Sequence, residues 1–217
     1  MRPRRAPRWS TLLAAFALTA CVDLEREAPE KMRYLLQAER TNGGPGASEH
    51  RLEVPPFHVA PAFATQSFVY RTRSGSFTMD FYHEFFTFPG ENIAEVTRKW
   101  LRRSRLFETV HGGESRLPPT HVLEGDIARL FGDYAVDPPE ARLTVRVYLL
   151  QLPGGELLLS KTYDGHEPIQ EPESQRSIVE AWDEALRNFL QRLEADLALA
   201  LAGSGTPSAA EPRIADR

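Results

Sequence analysis

Apolar residues recur along this chain with two periods, and the points where the period changes mark out its elements. Met32, Tyr34 and Leu36 alternate with Arg33, Leu35 and Gln37, the pattern of a half-buried strand, before a glycine-rich loop from Thr41 to Glu49. Leu52 to Ala60 is extended but broken by Pro55-Pro56, which suits an edge or bulged strand because proline cannot donate to a sheet ladder. Gln66 to Arg71 is rich in β-forming residues. Phe77 to Phe88 is a further extended run dominated by aromatics. At Pro89-Gly90 the period lengthens to that of a helix over residues 90–104. Ile93, Val96, Thr97, Trp100, Leu101 and Ser104 trace one face there, and Arg98, Lys99, Arg102 and Arg103 occupy the others.

Leu106 to Val110 returns to strand spacing, and three further extended runs follow: His121 to Phe131, Ala141 to Leu150 and Glu156 to Tyr163. In the middle run Leu143, Val145, Val147 and Leu149 face one side, with Arg142, Thr144 and Arg146 on the other. Pro153-Gly154-Gly155 is the turn of an antiparallel hairpin joining the last two runs. Ser177 and Glu180 have capping-box spacing and open a helix running to about Leu201, with Ile178, Trp182, Leu186, Phe189, Leu193 and Leu197 on its apolar face. Residues 203–217 have little to bury and read as a disordered tail. The expectation is a single α+β domain over residues 32–202, with a mainly antiparallel sheet packed against two principal helices.

The N-terminus follows a different logic. Arg2, Arg4, Arg5 and Arg8 precede an apolar run, Thr11 to Ala20, that is far short of the ~20 residues needed to span a bilayer; this is the order of a secretion signal. The run ends Leu18-Thr19-Ala20-Cys21, and Cys21 is the sole cysteine. Small residues before that cysteine resemble a lipobox, which implies that residues 1–20 are removed, that Cys21 is acylated, and that residues 21–31 form a tether. Val22, rather than aspartate, after the cysteine favours the outer membrane, with the folded part on its periplasmic side. Two or three acyl chains satisfy the requirement for stable anchoring.

Removing the signal also changes the charge balance. Four of the 26 basic residues lie in it and none of the 30 acidic ones does, so the remainder carries 22 basic against 30 acidic side chains, a net of −8. This argues against nucleic acid as a partner, since phosphate neutralisation needs Lys and Arg. With Cys21 acylated, no thiol remains for a disulfide or a thiolate nucleophile. Histidines stand at 50, 58, 83, 111, 121 and 166 without the His-Glu-x-x-His spacing that places two ring nitrogens on one helical face, so no metal or cofactor site is expected. The loop glycines 43, 44 and 46 lack the Gly-Lys-Ser/Thr of a phosphate cradle, and no Gly-x-Ser-x-Gly elbow is present. The pattern suggests no enzyme.

The aromatic run is the best candidate for a functional surface. Phe77, Met79 and Phe81 alternate and are assigned to the core, whereas Tyr82, Phe85, Phe86 and Phe88 cannot all share one face of a regular strand, so some of them meet solvent or a partner. Tyr82, Phe85 and Phe86, with Tyr70 and Arg71 nearby, form the candidate partner-binding set, because aromatic and arginine side chains dominate interface centres.

Several segments together resemble the ABC-type transport auxiliary lipoproteins, the family of the paraquat-inducible lipoprotein and of partners of mammalian-cell-entry (MCE) systems. They are Met32-Arg33-Tyr34-Leu35-Leu36 soon after the lipid cysteine, Phe68-Val69-Tyr70-Arg71, and Asp80-Phe81-Tyr82-His83-Glu84-Phe85 before the Trp100 helix. Leu123-Glu124-Gly125, Leu130-Phe131-Gly132-Asp133-Tyr134 and the closing amphipathic helix complete the order. One departure is Phe85-Phe86-Thr87-Phe88, where many relatives have a tryptophan-centred stretch. The resemblance implies a non-enzymatic outer-membrane auxiliary of a lipid or hydrophobic-solute transporter, with an MCE-domain protein, an ABC permease and an ATPase as partners. An assembly or activator module for outer-membrane biogenesis or cell-wall synthesis is the alternative, and the sequence leaves open whether the chain forms a homo-oligomer.

Overall fold

The extended runs beginning at His121, Ala141 and Glu156 become the three longest strands of the sheet. The computed structural model describes residues 30–41, 43, 44, 48–113 and 115–204. The signal segment, Cys21, most of the tether and the chain after Ser204 lie outside the described residues. In order, the elements are β1 (Met32–Tyr34), β2 (Arg51–Glu53), β3 (His58–Val59), β4 (Ser67–Arg71), β5 (Phe77–Phe85), α1 (Pro89–Ser104), β6 (Thr109–His111), β7 (His121–Asp133), β8 (Glu140–Gln151), β9 (Glu156–Pro168) and α2 (Gln175–Ser204). The α+β class expected from the pattern is observed.

β7 is the axis of the sheet. Along one edge it pairs antiparallel with β8 over its whole length, and β8 pairs antiparallel with β9 through the expected hairpin, where Gly155 (φ 68°) donates its N–H to the Gln151 carbonyl. The other edge of β7 is shared by β2 at His121 and Val122, β3 at Asp126 and Ile127, and β4 at Gly132 and Asp133, all parallel to it. β6 extends the sheet beside β2 in parallel, while β5 lies antiparallel to β4 and carries β1 in parallel at the margin. The sheet is therefore mixed. The mainly antiparallel expectation holds for the β4–β5 hairpin and the two long ladders, and the parallel pairings of β1, β2, β3, β4 and β6 are added to it, because local periodicity marks a strand without saying which distant strand it joins or in which direction.

Leu143, Val145, Val147 and Leu149 are buried as their alternation requires, and Arg146 on the opposite face is exposed. α2 covers the apolar face. A Cβ on Gly132 would fall 2.5 Å from Ile178 Cδ1 and 3.0 Å from Tyr70 Cδ1, so a larger residue there would have to displace the side chains through which the start of α2 packs on β7. Trp182 is fully buried, with its ring centre 5.1 Å from Phe68 and 5.4 Å from Phe85, and Phe189 meets Tyr163 edge-on at 5.2 Å. α1 buries the Trp100 stripe as expected and ends at Arg105 in the left-handed conformation (φ 58°). The capping box is not formed. α2 begins two residues before Ser177, whose Oγ instead accepts the Glu171 N–H, and the helix continues through Gly203, where a tail was expected.

The segment after β1 is strapped across the two helices by their side chains. Asn92 of α1 accepts the Leu36 N–H (2.8 Å) and donates to the Leu36 carbonyl (3.2 Å), and Asp183 of α2 accepts the Gln37 N–H (2.7 Å). Glu194 of α2 receives a two-pronged Arg40 guanidinium at 2.8 and 2.9 Å and the Trp100 indole N–H at 2.7 Å. Burial pushes the Asp183 carboxyl up to about 6; the Gln37 N–H and Arg187 oppose this, and Glu180 adds to it.

Two stability predictions follow from this packing. Trp182→Ala is expected to cost ~3–5 kcal/mol in urea unfolding, the range for emptying a fully enclosed aromatic site; a loss under ~1 kcal/mol would place the stripe outside the core. Because the folded state holds the Asp183 proton more tightly than the unfolded chain, Asp183 destabilises fully above pH 6, and the penalty fades as pH falls from 6 towards 3.8. Asp183→Asn keeps an oxygen acceptor for Gln37 and should stabilise by ~1–2 kcal/mol at pH 7.5, allowing for partial solvent screening, with no gain near pH 4.

Candidate functional site

The candidate surface is built on the β4–β5 hairpin, whose turn closes at Gly75 (φ 86°) with the Thr72 N–H donated to the Ser76 carbonyl and the Gly75 N–H to Thr72. From there Arg71 pairs with Phe77, Tyr70 with Thr78 and Val69 with Met79, but the next paired residue of β4, Ser67, faces Glu84. Between the two registers β5 spends five residues where β4 spends two. The surplus is an odd number, so the bulge reverses which face successive β5 side chains occupy.

Asp80 holds that bulge. Its Oδ1 accepts the Tyr82 N–H (2.8 Å) and the His83 N–H (3.0 Å); its Oδ2 accepts the Tyr70 hydroxyl (2.9 Å) and lies 2.9 Å from His83 Nδ1. Burial works against ionisation of Asp80, yet these donors outweigh it and hold the carboxyl below its ordinary value. Burial and the same carboxylate push the Tyr70 phenol upward, so Tyr70 serves as a neutral donor. Tyr134 packs edge-on against Tyr70 at 5.7 Å and completes the cluster.

Beyond the bulge Phe85 points into the core, 2% exposed, against Phe68 and Trp182. Before it the phase is opposite. Phe77 and Met79 are 55% and 65% exposed, and Phe81, inside the irregular stretch, is 70% exposed. The assignment of these three to the core is therefore corrected, and the physical reason is the phase reversal at Asp80. Phe77 and Met79 share the face of Arg71 and Val69, opposite α2, where Phe77 lies 5.3 Å from Phe131 and 6.3 Å from Phe63. Phe81 meets Tyr82 edge-on at 5.1 Å, and Lys31 Nζ is 5.5 Å from its ring centre.

The five sequence-picked residues separate accordingly. Tyr82 and Phe86 are exposed, and Phe88 is exposed beside them. Phe85 is core, corrected for the reason just given. Tyr70 is half-buried and engaged by Asp80, and Arg71 is held in a two-pronged pair with buried Asp133 (2.7 and 2.8 Å). Arg71 and Tyr70 thus support the surface from behind. The backbone from which Phe86 emerges is fixed on both sides: Phe85 N–H donates to the Gln66 carbonyl, Phe86 N–H to that of Tyr34, and the Gln66 amide to the Phe85 and Phe86 carbonyls. At the margin Glu84 accepts Arg33 Nε (2.8 Å) and Lys31 Nζ (2.9 Å), which hold its carboxyl below the usual range.

Elsewhere, among the described residues, no group of three His, Cys, Asp or Glu side chains is placed to hold a metal ion, and no helix is long and apolar enough to cross a membrane. No protein-family model matches the sequence, and no curated protein does. Solved structures give a clear likeness: protein XCC0632 from Xanthomonas campestris, described with the family model DUF330, superposes with a TM-score of 0.68 at 15% identity, covering 81% of this chain and 100% of that one. The fold is shared. An uncharacterized protein superposes with a TM-score of 0.60 at 14% identity over 79% of this chain and 99% of its own. At these identities the likeness is one of architecture alone.

Asp80→Ala should leave two backbone N–H groups and the Tyr70 hydroxyl without their acceptor and cost ~2–3 kcal/mol. Amide exchange at Tyr82 and His83 should accelerate with it. Phe86→Ala, by contrast, should stay within ~0.5 kcal/mol of wild type, as an exposed substitution does.

Proposed function

We propose that this chain is a lipid-anchored, non-catalytic auxiliary component of an ABC/MCE-type system that moves lipids or other hydrophobic solutes, held through acylated Cys21 on the periplasmic side of the outer membrane. The order of arginines, short apolar run and sole cysteine supports the anchor, and the family resemblance supports the transport role. The observation that carries the docking role is the exposed aromatic set Tyr82, Phe86 and Phe88, raised on a backbone that Gln66, Tyr34 and buried Phe85 make rigid. Rigid aromatic anchors lose little conformational entropy on binding, which is what an interface centre requires. In this reading an MCE-domain protein seats on Tyr82 and Phe86, and the permease and ATPase supply transport energy elsewhere.

Intact-mass analysis of the native protein should show a mature chain beginning at acylated Cys21; an unmodified cysteine removes the anchor. Tyr82→Ala with Phe86→Ala should reduce co-purification of the MCE-domain protein at least about tenfold while leaving the melting temperature nearly unchanged, because both side chains are already in solvent. Capture of a cell-wall synthase or an outer-membrane assembly factor in place of any transporter component would favour the activator-module alternative and end the transport reading.

A further inference from the structure

The apolar row Phe77, Met79 and Phe81 is not used by that docking site, and its position assigns it a different occupant. We propose that this row lies in the headgroup region of the bilayer to which the chain is tethered, so that the domain rests on the membrane along its β5 margin. The inference rests on the anchoring of Cys21 and adds a direct protein–lipid contact to it.

Three observations carry it. First, the chain enters the fold at this row: Lys31 sits over the Phe81 ring, and β1, starting at exposed Met32, pairs with the end of β5. Ten residue steps separate Lys31 from Cys21, which at ~3.5 Å each cannot exceed about 35 Å, so an acyl anchor keeps this margin, more than any other part of the sheet, within reach of the membrane. Second, the row has no apolar cover in the protein. Phe77, Met79 and Phe81 are each more than half exposed, and they continue an aromatic cluster of Phe63 and Phe131, stacked 5.7 Å apart beneath. Exposed contiguous apolar surface of this kind marks a membrane or partner contact. Third, most of the charge flanking the row is already paired, exposed Arg73 of the β4–β5 turn apart. Lys31 and Arg33 bind Glu84, and Arg71 binds Asp133. Contact is therefore apolar rather than electrostatic, which suits a chain whose mature net charge of −8 would be repelled by anionic headgroups. Side chains of an interfacial element need reach only ~5–10 Å into the headgroup boundary, where water still solvates the unpaired edge of β5.

The test uses the acylated chain carrying Phe81→Trp, reconstituted in vesicles of phosphatidylethanolamine and phosphatidylglycerol and, separately, of phosphatidylcholine alone. Trp100 and Trp182 are buried and supply a constant background. Emission from the new indole should shift to the blue on reconstitution and be quenched by brominated acyl chains at least about twofold more than the wild-type background, equally in both vesicle types and at high salt. Unshifted and unquenched emission, with the intact mass confirming acylation, overturns the inference while leaving the anchor standing. Should the mass show an unmodified cysteine, vesicle flotation decides instead: the chain should float, and the Met79→Glu, Phe81→Glu double variant should not. Loss of a concentration-dependent dimer in that variant, without any effect of lipid, would assign the row to a second copy and also overturn the proposal. No MCE-domain protein is present in these vesicles, so failure here is separable from failure of the docking site.

Discussion

The surface of this protein depends on one carboxylate. Asp80 gathers two backbone N–H groups, the Tyr70 hydroxyl and the His83 ring at the point where β5 carries more residues than its partner strand. A strand has a side-chain period of two, so an odd surplus turns every residue on one side of the bulge to the opposite face. Downstream, Phe85 enters the core. Upstream, Phe77 and Met79 leave it.

Trp182 fixes the other half of that arrangement. Its ring packs against both Phe68 and Phe85, which also touch each other at 4.7 Å, so α2 and the β4–β5 pair are locked at the downstream end of the bulge. With Phe85 committed inward, restoring a regular β5 would drag apolar side chains of the upstream half under α2, into space already filled. Native interiors are too densely packed to admit them. The bulge and the helix therefore support each other: the carboxylate satisfies the displaced backbone, and the tryptophan sets the direction of the displacement.

The resulting margin runs against the usual protection of sheet edges by charge, proline or cover. Here Lys31 and Arg33 are paired with Glu84 and Arg71 with Asp133, and exposed Arg73 stands at the hairpin turn, beside an apolar row that is itself more than half exposed. Such an edge is a hazard in a freely diffusing protein. The exposed apolar side chains lie in two adjoining sets: Phe77, Met79 and Phe81 next to the chain entry, and Tyr82, Phe86 and Phe88 on the rigid approach to α1, with Phe81 and Tyr82 in contact where the sets meet.

The sequence by itself determined the elements. Strict alternation in 141–150 and the Pro-Gly-Gly turn determine β8 and its hairpin, and the 3.6-residue stripes through Trp100 and Trp182 determine both helices and the faces they bury. These are local properties, written in neighbouring residues. The parallel docking of β2, β3 and β4 along β7 was decided only in the folded chain, because pairing partners lie far apart in sequence and periodicity does not encode direction. Ser177 likewise has the spacing of a cap, yet its hydroxyl is taken by the Glu171 N–H of the preceding loop. The candidate surface was legible in composition and illegible in orientation: the aromatic run announced a surface, but which of its residues turn inward was set by an aspartate that only the tertiary fold brings against Tyr70.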